Sequence, residues 1–541
     1  MSIINNNSYN KLVNFPFFLL SYIIRCIDDN IDRICWSLVC KRWFEQRDKY
    51  LIFNSDTLNI DSHHINFYLK SFKSIYIKSL ELKNNCNLFI GSKYNVRPQI
   101  DYFIDGNSLE SYKSIQSNVD RVILDSTPGV PANFNVDRDL PIDSEYLAKL
   151  LQDSNVTRLD DCRTLKHSLP TRLKSLSFYG DFNEKLYKGC LPAGLKELNG
   201  LNVDQRIENG LFPEGLEKLE LGYSYSEPIE PGVLPVSLKH ISFQNHHKYK
   251  QELSHGVLPP SLESLEFSGV PLPIDSRVLP HTLHTLYVAP TQWISIIKTL
   301  PNLRNLSFYD TAIRNNNIRN DATLEETIDL SELPKTLVRL RFHSKFRLTS
   351  TLPQSIRYLG IDKCIYDIEE LFEKDTIHYQ LEELKVGWFP AVDSKQHQVF
   401  SQLKIRKLSL VSIDQQFVAA GQIPVGIESL DLSMAYDIEL EQGSIPQSVK
   451  YLRLDHIDGL VRPGYIPESV EQLELINNFY MDNEFQPGTI PNTMRTLILY
   501  FSPNLLQSIP KSLTNIIFRA LPKWHHACHV RNTTISRIVF Y

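Results

Sequence analysis

The stretch LPPSLESLEF, residues 258–267, and its counterpart IPVGIESLDL, residues 423–432, follow one pattern. An apolar residue and a proline come first, and apolar-x-x-Leu-x-apolar follows. In the Leu-x-apolar end, alternate side chains point to the same side of an extended chain, as they do in a β-strand. The pattern therefore predicts a short strand that begins just after a proline.

The pattern recurs at a nearly constant interval. Its prolines are 19 to 24 residues apart in two runs, from Pro170 to Pro280 and from Pro424 to Pro510. Counting only the frame apolar-x-x-apolar-x-apolar, seventeen copies begin between Leu173 and Ile535, about 22 to 23 residues apart on average. One copy fails at its third position, where Gly200 stands. Such self-similarity is the signature of a repeat array.

The spacing also predicts what one repeat looks like. A six-residue strand leaves about sixteen residues for the return to the next strand, too few and too rich in Pro and Gly for a regular helix with its turns. One such coil cannot bury its leucines, but stacked coils share a continuous core. We therefore predict, over residues 169–541, a mainly β solenoid: a leucine-rich-repeat-like arc of parallel short strands with an irregular convex side.

A glycine three residues before the proline is expected to make the turn into each strand. Glycine supplies a positive-φ conformation without steric cost, and proline fixes φ just ahead of the strand. The residues concerned are Gly189, Gly210, Gly232, Gly256, Gly421, Gly443, Gly464 and Gly488.

These units resemble the FNIP repeats, which are relatives of the leucine-rich repeats. The matching segments are FNEKLYKGCLPAGLKEL from Phe182, YSEPIEPGVLPVSLKHISF from Tyr225, YKQELSHGVLPPSLESLEF from Tyr249 and YDIELEQGSIPQSVKYLRL from Tyr436. We expect the aromatic residue ten positions before the proline, and the apolar residue six before it, to fill the outer side of the core. The Asn that ordinary leucine-rich repeats carry after the last apolar position is absent, so their Asn ladder is not expected.

The N-terminal sequence has a different period. Residues 15–43, FPFFLLSYIIRCIDDNIDRICWSLVCKRW, place apolar residues at helical spacing in two segments. Residues 28–30, Asp-Asp-Asn, separate the segments and offer N-capping groups to the second. We predict disorder over 1–13, a helical module over 14–60, and irregular leading coils over 61–168 that begin near IKSLEL at Ile77 and include VDRVIL at Val119.

The helical module resembles an F-box, which ends near Val-Cys-Lys-x-Trp, as residues 39–43 do here. The resemblance implies a Skp1-like adaptor and a cullin as partners, with the repeat array capturing a protein to be ubiquitylated. The adaptor-binding residues would be Phe15, Pro16, Leu19, Ile23, Val39 and Trp43. The alternative is a non-catalytic interaction scaffold whose N-terminal helices only cap the solenoid.

Net charge and cysteine content indicate which partners and which cellular compartment to expect. The net charge of -5 gives no basic field for nucleic acid or an anionic membrane, and no apolar run is long enough to span a bilayer. The eight cysteines form no C-x-x-C pair and are too sparse for a disulfide scaffold. We therefore expect reduced thiols in an intracellular protein, cytoplasmic or nuclear.

The sequence carries no recognisable catalytic motif. It lacks the phosphate-binding, dinucleotide-binding, zinc-protease and nucleophile-elbow patterns, so we predict a protein that is not an enzyme and has no cofactor. The cluster His525-His526-x-Cys528-His529 could bind zinc in principle, but no second ligand pair completes a site, so a polar loop is the expectation.

The outward positions of the strands are the candidate binding face. Between the second and third apolar positions of successive frames stand Asp431, Arg453 and Glu474. Tyr451 occupies the preceding outward position, two residues before Arg453, and one upstream frame carries both Arg339 and Arg341. A face that mixes charge with an aromatic residue suits a partner protein. The alternative is a solvated ladder of salt bridges that contributes little. We predict that Asp431, Tyr451, Arg453 and Glu474 contact a captured protein.

Overall fold

The fold was analysed in a computed structural model of the chain. It describes residues 15–27, 30–54, 70–91, 100–124, 144–180, 182–244, 249–268, 274–309, 326–372, 378–412, 417–435, 439–455, 462–476, 488–500, 510, 512–518 and 537–540. The chain divides into two compact units. The N-terminal unit comprises Met1–Gln251 with Gly256–Ser261, and the C-terminal unit comprises Glu252–His255 with Leu262–Tyr541.

The N-terminal unit begins with helices and continues with short strands. Its helices are α1 (Phe17–Arg25), α2 (Asn30–Ser37), α3 (Lys41–Glu45), α4 (Lys73–Glu81) and α5 (Glu145–Gln152), with 3₁₀ turns at Arg47–Lys49, Lys70–Phe72 and Gly106–Ser111. Its strands are β1 (Cys86–Gly91), β2 (Tyr102–Asp105), β3 (Val119–Leu124), β4 (Arg158–Cys162), β5 (Ser175–Phe178), β6 (Glu197–Leu201), β7 (Lys218–Leu221) and β8 (His240–Phe243). α5 precedes β4.

The C-terminal unit consists mainly of strands. They are β9 (Ser264–Phe267), β10 (Thr285–Ala289), β11 (Asn305–Phe308), β12 (Thr327–Asp329), β13 (Arg339–Phe342), β14 (Arg347–Thr349), β15 (Tyr358–Gly360), β16 (Gln380–Val386), β17 (Lys404–Ser412), β18 (Phe417–Val418), β19 (Ser429–Ala435), β20 (Glu439–Leu440), β21 (Tyr451–Asp455), β22 (Gln472–Ile476), β23 (Thr496–Leu499), β24 (Asn515–Phe518) and β25 (Arg537–Phe540). Its short helices are α6 (Ile294–Ile297), α7 (Ile368–Leu371) and α8 (Lys395–Phe400), with 3₁₀ turns at Thr291–Trp293 and Leu330–Glu332.

Each coil places one strand beside the strand of the next coil, always in parallel. In the N-terminal unit β3 to β8 pair in chain order. In the C-terminal unit the order is β9, β10, β11, β13, β15, β16, β17, β19 and β21 to β25. Two further pairs, β12–β14 and β18–β20, form on the return segments. This is the predicted β solenoid, and the pairing continues where the repeat pattern is weakest, between residues 301 and 419.

The core is a stack of the frame residues. Leu430 on β19 is level with Leu452 on β21, which is level with Leu473 on β22, and each of the three is fully buried. Alternate positions of the strands face away from this stack. In β7, β9 and β13, for example, buried residues alternate with partly or fully exposed ones. The sequence frame therefore assigns the two faces of these strands correctly.

The turn into each strand is built as predicted. The eight glycines three residues before a proline all have positive φ, between 78° and 87°. The proline carbonyl then accepts a hydrogen bond from the N–H of the first frame residue three positions later, as between Pro235 and Leu238 at 3.0 Å. Proline thus opens a β-turn that delivers the chain into the strand in a fixed register.

The frame that fails at Gly200 is rescued by a β-bulge. Gly200 has a φ of 66°, the register shifts between Leu198 and Leu201, and buried Leu201 takes the inward place opposite Leu221. β10 has the same bulge at Val288, whose φ is 58°, so Ala289 rather than Val288 points into the core. A bulge adds one residue to a strand and so restores the inward direction.

A ladder of side-chain hydroxyls occupies the role of the absent Asn ladder. The Ser or Thr just before the first frame residue donates a hydrogen bond to the carbonyl of the first frame residue in the preceding coil. The pairs are Ser237 to Leu216 at 2.6 Å, Ser261 to Leu238 at 2.9 Å, Thr282 to Leu262 at 2.7 Å and Thr336 to Leu303 at 2.7 Å. These bonds tie each coil to its neighbour beside the leucine stack.

The aromatic and apolar residues of the return segments close the outer side of the core. Phe182, Tyr225 and Tyr249 are buried, and the rings of Tyr225 and Tyr249 stack with their centroids 6.1 Å apart. The apolar partners of this set, Leu186, Ile229, Leu253 and Leu440, are buried as well. Tyr436 lies outside the described residues.

The helical module extends further along the chain than predicted. Its core brings Leu20 and Ile24 of α1 and Trp43 of α3 together with Phe72 and with Ile75 of α4. The prediction of a strand at IKSLEL was wrong, because that segment lies in and just after α4. Buried Phe72, Ile75 and Ser79 follow helical spacing there, so the helical period prevails over the strand frame. VDRVIL forms β3, as predicted.

We expect truncation at inward frame positions to destabilise the solenoid strongly. Leu265 and Leu430 are fully buried, so replacing either by Ala should leave a cavity and cost about 2–5 kcal/mol. Ser264 and Ser429, one residue earlier on the outward face, are the matched controls and should tolerate Ala within about 0.5 kcal/mol. Urea unfolding midpoints measure both effects. Serine variants that unfold earlier than the leucine variants would reverse the assignment of faces.

Candidate functional site

The outward positions of the C-terminal unit form rows that cross the strands. Because neighbouring strands are in register, the second outward residue of one strand lies beside that of the next, about 4.8 Å away. One row contains Asp431, Arg453 and Glu474 on β19, β21 and β22, and the row before it contains Tyr451. The structure thus brings together all four residues predicted for the partner-binding face.

These residues form a polar network centred on a buried carboxylate. Arg453 lies between two acids, with Nη1 3.5 Å from Asp431 Oδ2 and Nε 3.4 Å from Glu474 Oε1. The Tyr451 hydroxyl donates to Glu474 Oε2, and the Tyr500 hydroxyl donates to Glu474 Oε1 at 2.9 Å. The Glu474 side chain is only 4% exposed. Burial, and then the bond to Glu474, raise the pKa of Tyr451 well above its usual value, which keeps this phenol a hydrogen-bond donor.

The network places limits on what these residues can offer a partner. Glu474 is enclosed by its own neighbours, whereas Arg453 and Tyr451 are partly exposed at the surface. Tyr500 follows the last apolar residue of its frame, and no local pattern predicts that its side chain returns to the strand face to bond Glu474. Replacing Arg453 or Tyr451 by Ala would leave a buried carboxylate with fewer donors, so stability and binding are coupled here.

A second feature of the same unit is a groove over the outward face of β9 to β16. Its volume is about 430 Å³. It is lined by residues of these strands and by His343, which directly follows β13. The lining residues that matter are Tyr287, Arg339, Arg341, Tyr358, Gly360 and Lys385; we call this set the basic groove. The Arg339 guanidinium stacks on the Tyr358 ring, 4.0 Å from its centroid.

The electrostatics of the basic groove differ from those of the Glu474 network. Lys385 and Lys407 flank Glu383, with nitrogen-to-oxygen distances of 3.9 and 3.5 Å. Among the described residues, neither Arg339 nor Arg341 makes an ion pair with a carboxylate. Burial lowers the pKa of His343 in the groove wall, and the charges of Arg341 and Lys363 lower it further.

The helical module contributes a third candidate surface. Of the residues predicted to bind an adaptor, Leu19 and Val39 are exposed, at 38% and 64%, Pro16 is exposed, and Phe15 and Ile23 are half-buried. Trp43 is the exception, because it is 2% exposed and stacks on Trp36 inside the module. Trp43 therefore shapes the surface from beneath and does not form part of it.

Sequence reasoning missed three large apolar residues on this surface. Phe18 and Tyr22, one helical turn apart on α1, are 69% and 73% exposed, and Leu38, just after α2, is 55% exposed. They could have been found from the sequence, since α1 is apolar on nearly all sides and one helix can bury only one face.

Other reactive groups are sparse among the described residues. Within the described ranges, no group of three or more His, Cys, Asp or Glu side chains is placed to hold a metal ion, and the cluster at His525 lies outside those ranges. The seven cysteines that the structure describes are free thiols. No helix in the described part of the chain has the length and apolar character needed to cross a membrane.

Comparison with known families identifies the repeat type. The FNIP Repeat family model matches residues 163–199, 204–246, 249–288 and 382–456. The FNIP repeats that the sequence pattern predicts are therefore confirmed in these four segments. No curated protein sequence matches it.

Two solved structures are similar to this chain over most of its length. The first is CroV588, described as a novel circular LRR protein structure, with a TM-score of 0.46 and 18% identity over 84% of this chain and 68% of that one. The second is the Toll–Spatzle complex, described as a molecular hub in Drosophila development and innate immunity. Its TM-score is 0.35, with 13% identity over 81% of this chain and 61% of that one.

We expect the Glu474 network to contribute to folding. Tyr451→Phe removes a hydroxyl that donates to a buried carboxylate, which should cost about 1–3 kcal/mol. The matched control is Tyr465→Phe, because no hydrogen bond of the Tyr465 hydroxyl occurs among the described residues. Urea unfolding of the two variants gives the comparison. Equal stabilities would show that the network contributes nothing to folding.

Proposed function

We propose that this chain is a non-catalytic protein-interaction protein that acts as the substrate receptor of a cullin-type ubiquitin ligase. In this proposal the helical module binds a Skp1-like adaptor, which brings the cullin, and the strand face of the solenoid holds the target protein. The observation that carries the proposal is the set of exposed apolar side chains on the helical module.

The exposed set is not needed to complete the module's own core. Leu20, Ile24, Trp43 and Ile75 are already packed together, and buried Arg33 donates to the carbonyls of Ile27 and Ile52 at 2.6 and 2.8 Å. The module is thus closed by apolar contacts and by hydrogen bonds. Large apolar side chains left outside such a core are typical of protein-interaction sites.

The exposed residues also follow the F-box resemblance of the sequence. Leu19 belongs to α1, and Val39 stands at the start of the Val-Cys-Lys-x-Trp ending that carries the resemblance. Their exposure supports a role in binding, whereas Trp43 at the end of the same motif supports the fold from within. The strand face adds a second, larger surface on which charge and aromatic groups alternate.

A capping role for the same module has its own support. The Asn118 side-chain amide, just before β3, donates to the carbonyls of Leu80 and Lys83 at 2.7 and 2.9 Å. These bonds join the end of α4 to the first coils of the N-terminal unit. Capping accounts for the buried side of the module and does not account for its exposed apolar side, so the two roles are compatible.

The test is capture of the adaptor by surface variants of the full chain. Leu19→Ala with Val39→Ala should reduce recovery of a purified Skp1–cullin complex at least about tenfold, because buried apolar anchors dominate such interfaces. Val236→Ala with Val425→Ala is the matched control, since both residues are exposed valines outside the module. Circular dichroism checks that all variants remain folded.

Two results would contradict the proposal. Wild-type protein that captures no Skp1–cullin complex would leave the scaffold with a capping module as the function. A folded Leu19 and Val39 double variant that captures as much as the wild type would place the adaptor elsewhere.

A further inference from the structure

Arg341 and Lys385 stand in a row of small residues. Across β11, β13, β15, β16 and β17, the second outward positions are Ser307, Arg341, Gly360, Lys385 and Ser409 in register. Ser307 and Ser409 are buried, so the longer side chains of Arg341 and Lys385 project above the other residues of the row. The neighbouring row adds Arg339, Tyr358, Glu383 and Lys407.

Gly360 is unusual for its place in a strand. Its φ is not in the positive region, so the backbone does not demand glycine, and the loss of a side chain weakens a strand. A Cβ at this position would lie 3.0 Å from Cγ of Arg341. Glycine therefore lets the Arg341 stem lean across β15, in the direction of Lys385.

Val288 in the groove wall holds a strained conformation. A β-branched residue with a φ of 58° is a steric outlier, and here its N–H donates to the Ser307 hydroxyl at 2.9 Å. Strained backbone conformations of this kind cluster at functional sites such as those that bind a ligand. The bulge it creates also leaves the neighbouring Tyr287 ring 40% exposed at the groove edge.

The charges of the groove are not balanced within it. Arg339, Arg341 and Lys385 line the groove together with two carboxylates, those of Glu266 and Glu383. Both arginines are exposed without an acidic partner among the described residues. The Glu474 network in the same sheet shows that outward arginines can be paired by their neighbours. Two neighbouring arginines without an ion-pair partner repel each other in the free protein and attract an anion.

We propose that the basic groove binds an acidic peptide segment of a partner protein, with clustered Asp and Glu side chains paired to Arg339, Arg341 and Lys385. This inference rests on the proposed function, since it names the chemistry of the segment that the strand face would hold. Guanidinium groups pair with carboxylates through two parallel hydrogen bonds, and the Tyr287 and Tyr358 rings accept the apolar residues between them.

The size of the groove favours a short segment over a long polyanion. The three basic side chains of the groove lie on β13 and β16, two strand spacings or about 10 Å apart, which matches about three extended residues. Glu266 lines the groove on its β9 side, and Asp431, in register with Ser409, lies beyond the other side. A nucleic-acid backbone that continued past the groove would meet these carboxylates.

Fluorescence anisotropy with the full chain tests the proposal. The probes are labelled nonapeptides of Gly, Ser and Tyr that carry no, two or four Asp and Glu residues, and a labelled oligothymidylate of nine nucleotides. We expect affinity to rise with the number of carboxylates and to fall as salt is added. Arg341→Gln should weaken binding of the four-carboxylate peptide about tenfold, because it removes a charge-assisted pair.

Arg406→Gln is the matched control. It makes the same charge change on β17, but Arg406 is already paired with Glu382 and Glu428 at 3.3 and 3.1 Å. It should change the affinity less than twofold. Equal losses in the two variants, absence of peptide binding, or tighter binding of the oligothymidylate would each overturn the proposal.

Stability provides a readout that does not depend on the probe. Since Arg341 lies among other cations and makes no ion pair with a carboxylate among the described residues, Arg341→Gln should leave the Tm unchanged or raise it by a degree or two. Arg406→Gln should lower it. A clear loss of stability in Arg341→Gln would mean that Arg341 serves the fold. Skp1–cullin capture by Arg341→Gln is measured in parallel. Intact capture with lost peptide binding separates the groove from the proposed function of the helical module.

Discussion

The burial of one leucine against the same leucine of the next coil is the contact on which the structure depends. A single coil of this length has too little apolar surface to bury its own frame residues, so each coil folds only against its neighbours. Leu430, Leu452 and Leu473 lie level, and the turns that begin at Pro446 and Pro467 lead the chain into β21 and β22 in the same register. Within each unit, hydroxyl bonds such as that of Ser237 to Leu216 and that of Thr336 to Leu303 then fix the neighbouring edge of the coils. A shift of one residue would turn the leucines to the solvent, so register and burial enforce one another.

A fixed register turns single outward positions into rows, and the rows carry the chemistry. In one part of the C-terminal unit a row alternates in sign, and Arg453 lies between the carboxylates of Asp431 and Glu474. In another part the same row carries Arg341 and Lys385 with glycine between them and serines on either side. The backbone is the same in both places. The difference lies in whether neighbouring strands supply opposite charges, and only the second arrangement leaves charge available to a ligand.

The helical module presents a different balance between folding and binding. Its core is complete, with Trp43, Tyr50 and Ile75 buried and the Tyr50 hydroxyl bonded to the Trp43 carbonyl at 3.0 Å. Phe18, Tyr22 and Val39 nevertheless remain exposed to water. Exposed apolar side chains lower the solubility of a protein, so a surface that retains them is typical of an interaction site. The end of α4 is meanwhile bonded to Asn118 of the first coils, so the module is anchored on one side and open on another.

The sequence by itself determined the solenoid, its period, the inward leucines and the eight glycine turns, because these follow from local spacing and from the backbone freedom of single residues. It also placed Asp431, Tyr451, Arg453 and Glu474 on one face, since alternation along a strand is a local property. Tertiary structure alone decided which outward charges meet. The burial of Glu474 depends on Tyr500 from a neighbouring coil, and the isolation of Arg341 depends on Gly360 and Ser307 in strands some 20 to 35 residues away. It also decided that IKSLEL is helical, because the contacts of Phe72 and Ile75 with the N-terminal helices outweigh a local strand frame. Pairings between coils are not local, so the frame of one repeat holds no information about them.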